Sequence, residues 1–256
     1  MTADIMVDAL VLGGGDGAVI DPAAPFKGVV PVAGKPMIEW VVDALRESEY
    51  INEIAVVVPT AENLGSWADK VDKLVIYNGN FIDNAIAGMS ALNSGRHIFC
   101  ATGDLPALTG EAIDDFIVRS LESGAGVTYP LVRKEDVLEQ FPGSERTFVT
   151  VDHQPVTGGN CMLMAPGVVE RNREIGQRLF DTRKSVMAMA RVVGFKFVIR
   201  LATRRIRAVD VEEKMEELLG APCAAIYTCH ASIGADIDKP VDVIVAERIL
   251  FGRSQL

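Results

Sequence analysis

Apolar positions along this chain fall into short runs that alternate with segments of helical period. Residues 6–12 read as a first strand. Residues 36–47 form the next segment, a helix with Met37, Val41 and Leu45 at helical spacing. Residues 54–58, rich in β-branched side chains, predict a second strand, and residues 74–77 a third. Residues 80–94 place Ile82, Ile86, Met89 and Leu92 on one face of a helix. Residues 97–101 predict a fourth strand, 109–122 a helix with Thr109 as N-cap, and 126–130 a fifth strand. The strands lack polar alternation, which is the pattern of a parallel sheet buried on both faces by helices. The expected fold is α/β: a three-layer α/β/α sandwich around a mostly parallel sheet.

The second half is less regular. Residues 131–160 read as loops and short strands, and residues 210–219 as a short acidic helix. No internal repeat or low-complexity linker interrupts the chain. It is therefore expected to form a single domain over 1–256, with a helical elaboration at 183–220.

Composition sharpens this picture. The chain has 256 residues, of which 49% are apolar, and a formal net charge of −10. That charge argues against general nucleic-acid binding. The four cysteines, Cys100, Cys161, Cys223 and Cys229, have neither metal-site nor disulfide-framework spacing. The N-terminus carries acids rather than a basic leader, and no run is long enough to span a membrane. A cytoplasmic location is expected. Charge is nevertheless uneven. Arg183, Lys184, Arg191, Lys196, Arg200, Arg204, Arg205 and Arg207 succeed one another with no acid between Asp181 and Asp210. An amphipathic helical insert with a solvated basic face is one reading. A site for a phosphorylated acceptor, or peripheral contact with an anionic membrane, is the other.

The first strand ends in a glycine-rich loop, Leu12, Gly13, Gly14, Gly15, Asp16 and Gly17. Glycines leave backbone amides uncovered and suit an anion cradle. A dinucleotide fingerprint would require a helix to open at those glycines, and Pro22 and Pro25 intervene. A P-loop would require Gly-Lys-Ser/Thr, whereas Lys35 precedes Pro36. The loop leads instead to Lys27, an apolar strand-like stretch, and then Gly34, Lys35 and Pro36 before a helix. Gly103, Asp104 and Pro106 come after the fourth strand, and Asp236, Asp238, Pro240 and Asp242 lie late in the chain.

In that order these motifs resemble nucleotidyltransferases of GT-A type fold, especially the group related to molybdenum-cofactor guanylyltransferase. The resemblance covers most of the chain. One position departs from it: the arginine that the family carries two residues after the last loop glycine falls at Val19.

The resemblance implies a Mg²⁺-dependent transfer of a nucleoside monophosphate from a triphosphate to a phosphorylated small molecule, with release of pyrophosphate. Residues 12–17 would hold the triphosphate, and Lys27 would neutralise charge at the reacting phosphate. Asp104 would hold Mg²⁺ with help from Asp236 or Asp238, at most one of that pair being expected as a direct ligand. Asn80 and Asn84 would approach base and ribose, and Thr157, Gly158, Gly159 and Asn160 would form a glycine-rich turn facing the acceptor. Several have a local alternative: an Asx-turn or cap for Asp104, a turn and cap for Asn78 and Asn80, a solvated side chain for Lys27 and Lys35. Asp242 is expected to cap the final helix. Two other functions stay open: a glycosyltransferase of similar fold using a nucleotide sugar, and a non-catalytic nucleotide-binding module, the latter motivated by Val19.

Overall fold

The computed structural model describes residues 6–183 and 185–253. Lys184, one of the eight basic residues named for the 183–207 segment, lies outside them. Strand β1 (Val7–Leu12) is followed by a 3₁₀ turn at Lys27–Val29 and a two-residue hairpin, β2 (Pro31–Val32) and β3 (Lys35–Pro36). The stretch after Lys27 is thus mostly turn rather than strand. Next come α1 (Met37–Glu47), β4 (Ile51–Val58), β5 (Lys73–Ile76), α2 (Phe81–Leu92), β6 (Ile98–Thr102), α3 (Gly110–Glu122) and β7 (Val127–Arg133). Helix α4 (Lys134–Gln140), β8 (Val149–Val151), β9 (Gln154–Gly158) and β10 (Cys161–Met164) are the next elements. The chain continues through α5 (Val168–Arg171), α6 (Arg173–Thr182), α7 (Val186–Val193), α8 (Phe195–Ala202) and α9 (Ala208–Leu219). It ends with β11 (Cys223–Thr228) and α10 (Pro240–Arg253).

The main sheet has the order β5-β4-β1-β6-β10-β7-β9-β8, with β11 on the other side of β7. Only β9 and β10 run against the rest. Side-chain alternation explains the two flanking layers. In β1, Val7, Ala9 and Val11 join Val41 and Leu45 of α1 and Ile113, Phe116 and Ile117 of α3. Leu10 and Leu12 face the opposite layer, with Ala85, Met89 and Leu92 of α2. Both faces are apolar because both are covered, so β1, β4 and β6 read as continuous hydrophobic runs.

Helix α4 was not expected, residues 131–160 having read as loops and short strands. Its one buried residue is Val137, so no apolar period marks it. Glu135 and Asp136 in its first turn favour it electrostatically instead. Thr109 caps α3 as expected, accepting from the Ala112 amide at 3.2 Å.

The parallel strands β4, β1 and β6 end along one edge of the sheet. The amide of Gly13 donates to Val57 O at 2.9 Å, and that of Gly103 to Leu12 O at 2.9 Å. The glycine loop and the Gly103–Asp104 turn therefore leave the sheet side by side. The 3₁₀ turn folds back over the loop, with Gly28 N donating to Gly13 O at 3.2 Å and Lys27 N to Gly15 O at 2.9 Å. A Cβ at Gly28 would sit 2.7 Å from Gly13 O. Gly28→Ala is expected to destabilise the protein by about 1–3 kcal/mol, since backbone must move to admit it; a thermal melt indistinguishable from the parent's would contradict the close approach.

Candidate active site

The loop after β1 has backbone to spare. Gly13 spends its amide on β4, but the amides of Gly14, Gly15, Asp16 and Gly17 make no hydrogen bond among the described residues. Gly15 has φ +104°, a conformation that costs other residues strain. Asp16 turns its carboxylate onto Ala18 N at 2.9 Å, which closes the loop locally. Four unpaired amides in a glycine-rich turn suit a polyanion.

Lys27 stands directly over this loop. Its Nζ is 2.5 Å from Asp104 Oδ2 and 2.6 Å from Asp238 Oδ1. Burial opposes its charge, but Asp104 and Asp238 outweigh that and hold its pKa above the ordinary lysine value. Its reading as a solvated lysine does not hold, because its side chain is largely buried. Lys35, by contrast, pairs with Asp43 and lies 3.6 Å from the centre of the Trp40 ring, committed to α1.

Asp104, Asp236 and Asp238 each offer a carboxylate oxygen within 4.8 Å of the others. Both members of the late pair reach Asp104, where at most one was expected as a ligand. Residues 235–239 form no regular element, and Ile237 is buried with Val30, Met37 and Leu250. Its amide donates to Asp104 O at 3.1 Å. With Ile237 anchored inward, its two neighbours turn the same way, as residues i and i+2 of an extended chain do. Asp242 accepts from the amides of Asp238 and Lys239 at 3.0 and 2.9 Å, so it caps α10 as expected and braces this segment. Burial, reinforced by the nearby carboxylates, pushes the Asp236 pKa up despite the Arg146 guanidinium. Burial would also raise Asp238, but its hydrogen bond to Lys27 pulls it below the ordinary range.

Arg146 is the residue that the sequence did not single out. It lies between α4 and β8, pairs with the Asp236 carboxylate and donates from its second terminal nitrogen to Asp236 O at 2.6 Å. It is a lone arginine in a polar connection, with no local signal to mark it.

The remaining candidates are nearby or occupied. Asn160 is joined to the end of β6, its carbonyl accepting from Thr102 N at 3.3 Å and its amide donating to Ile233 O at 3.0 Å. Thr157 and Gly158 form no turn. They belong to β9 and pair with Val132 and Leu131, while Gly159 donates to Pro130 O at 3.1 Å. β-pairing with β7 overrides the local turn propensity of the two glycines. Asn80 and Asn84 open α2 at the edge of the sheet. Asn80 accepts from Asp83 N at 2.8 Å, and Asn84 accepts from Gly79 N at 2.9 Å. Their carbonyl oxygens are thus spent on cap and turn.

A mostly parallel sheet that gathers an amide loop, a lysine and three carboxylates at its carboxyl edge has the layout of a nucleotidyltransferase. A family model described as MobA-like NTP transferase domain matches residues 9–176, and the chain belongs to that family of transferases. No curated protein matches it. Among solved structures, a hypothetical transferase from Thermus thermophilus is similar with a TM-score of 0.82 and 29% identity, covering 93% of this chain and 99% of that one. A CMP:2-keto-3-deoxy-manno-octonic acid synthetase complexed with CTP has a TM-score of 0.60 at 10% identity, covering 98% and 100%. A 4-diphosphocytidyl-2C-methyl-D-erythritol synthase from Anaerococcus prevotii has a TM-score of 0.57 at 14% identity, covering 96% and 98%. The last two likenesses speak for the fold alone.

Proposed function

We propose that this nucleotidyltransferase moves a nucleoside monophosphate from a triphosphate to a phosphorylated small molecule in a Mg²⁺-dependent reaction. The observation that carries the reading is the convergence of four unpaired loop amides, Lys27 and three carboxylates at one sheet edge. The donor set fits a hard divalent cation. It is all oxygen, and Asp104 Oδ1 is buried without a hydrogen-bond partner. When bound, Mg²⁺ would neutralise charge on the phosphates and orient them.

The chain's own groups supply the rest. The amides of residues 14–17 would receive the outer phosphates. Lys27 would exchange its carboxylate partners for the α-phosphate, where charge is densest during transfer. Arg146 brings a second cation to the same edge and would supply the charge that Val19 does not. An oxygen of the acceptor's phosphate attacks the α-phosphorus. The bond from that phosphorus to the bridging oxygen breaks, and pyrophosphate leaves with the electron pair. A phosphate nucleophile is already ionised near neutrality, so the site needs no general base. Asn160, whose carbonyl accepts from Thr102 N, is the acceptor-side candidate, and Asn80 and Asn84 at the start of α2 are the candidates for base and ribose.

Each of the four triphosphates, presented with Mg²⁺ and a panel of phosphorylated acceptors, tests this reading. Pyrophosphate release that requires one acceptor and a divalent cation is the expected result. Turnover of a nucleotide sugar instead would replace it with glycosyl transfer. Nucleotide binding without turnover across the panel would replace it with a regulatory role.

A further inference from the structure

The basic segment contributes no described side chain to the cluster of Lys27, Asp104, Arg146, Asp236 and Asp238. Its fold separates two faces. On α8, Phe197 and Leu201 pack against Val151, Val156 and Ile206 beneath it. At about 100° per residue, Ile199 lies on the opposite side of that helix, with Phe195 and Lys196 beside it. Phe195 and Ile199 are 57% and 60% exposed, and Met187 on the adjoining α7 is 59% exposed. The pole of α8 that points away from the protein is therefore apolar, where a solvated amphipathic helix would be polar.

The same segment is densely basic. Arg200 and Arg207 pair with Asp210 at 2.6 and 3.3 Å. Arg183 stacks on the Phe180 ring at 3.4 Å, and Phe180 in turn stacks on Phe81 of α2 at 4.0 Å, which ties α6 to the body. Arg191, Lys196, Arg204 and Arg205 are exposed and have no acidic partner among the described residues. Four exposed cations without an acidic partner share this segment with exposed Phe, Ile and Met side chains, on a chain whose net charge is −10.

We infer that α7, α8 and the turn after them form a docking surface for an anionic lipid bilayer. Apolar side chains would enter the boundary between headgroups and acyl chains, while the cations meet lipid phosphates. Charge complementarity decides the occupant. The surface is basic where the remainder is acidic, and its exposed side chains need an apolar phase as well as anions. The inference does not depend on which nucleotide or acceptor the active site uses.

Co-sedimentation of the full chain with vesicles tests it. Vesicles of phosphatidylcholine with about a third phosphatidylglycerol should bind the protein, and pure phosphatidylcholine vesicles should not. Salt should weaken the binding. Arg204→Ser with Arg205→Ser should lower the partition coefficient about thirty-fold. Phe195→Ser with Ile199→Ser should lower it at least ~10-fold. Nucleotide affinity and melting temperature should stay at parental values in both variants, because none of the four residues touches the site. Absence of binding to the anionic vesicles overturns the inference, as does equal binding to neutral ones. Binding that ignores both double substitutions also overturns it. A dimer in solution that dissociates on Phe195→Ser would assign the face to a second copy, and binding of RNA without vesicle binding would assign it to a polyanion.

Discussion

Asp104→Ala is expected to lower kcat/KM for pyrophosphate release by at least ~10³-fold, the scale lost when a charge-stabilising group at a phosphoryl centre is removed. Asp104 is one of the three carboxylates of the cluster. It is bonded to Lys27 through one oxygen, and its other oxygen is buried and unpaired. No other described carboxylate joins the group with Asp236 and Asp238. The fold should tolerate the change. Asp104 is not part of the apolar core, and its loss removes a repulsion from Asp236, whose carboxyl is already pushed up by burial and its neighbours. The melting temperature should therefore move by only a few degrees while activity disappears. Initial rates with a Mg²⁺ titration, alongside a thermal melt, separate the two effects. A variant that keeps full Mg²⁺-dependent activity would overturn the metal role proposed for Asp104.

Lys27→Ala carries the second large effect, with an expected loss of ~10²–10³ in kcat/KM. Its signature is distinctive because Lys27 has two relationships. Toward nucleotide it is a cation placed above the amide loop. Toward Asp104 and Asp238 it is the counter-ion that balances the cluster, at 2.5 and 2.6 Å. Removing it should weaken nucleotide binding and transfer. It should also tighten the binding of Mn²⁺ measured without nucleotide, because two carboxylates lose their competing ammonium. Weaker Mn²⁺ binding in the variant would contradict that competition. Arg146→Ala serves as the comparison. Among the described residues the Arg146 guanidinium bonds to Asp236 and to no other acid, so its loss should be smaller, about ten-fold, and should fall mainly on KM.

Much of this was legible in the order of the residues. Buried parallel strands carry their own record: β1, β4 and β6 are apolar on both sides because helices cover both sides. The glycine loop, and Gly103 with Asp104, come directly after strand ends, so the strand pattern places them at the carboxyl edge of the sheet. Helix α4 was hidden because it buries only Val137 and so has no apolar stripe. The glycine pair after Thr157 misled for a related reason. Local turn preference is weak, and pairing of β9 with β7 supplied the hydrogen bonds that settled the conformation. Asn80 was legible both as a cap and as a site residue, and its carbonyl serves the cap, while that of Asn84 holds the turn before the helix.

By itself the sequence determined the α/β layering, the edge at which the glycine loop and Asp104 emerge, and the presence of a basic segment on an acidic chain. These are consequences of periodicity and of residues adjacent in the chain, and short-range patterns encode both. Only the tertiary structure decided that both Asp236 and Asp238, and Arg146 with them, join Lys27 and Asp104 in one cluster, and that Ile199 and Phe195 point away from the body. Those facts depend on where distant segments return. Ile237 buries itself beside β2 and α1, its amide bonds to Asp104, and the carboxylates on either side are delivered to the edge where β1 and β6 end. No spacing along the chain records such a return, because it is set by the packing of one buried side chain far along the chain from the strands it serves.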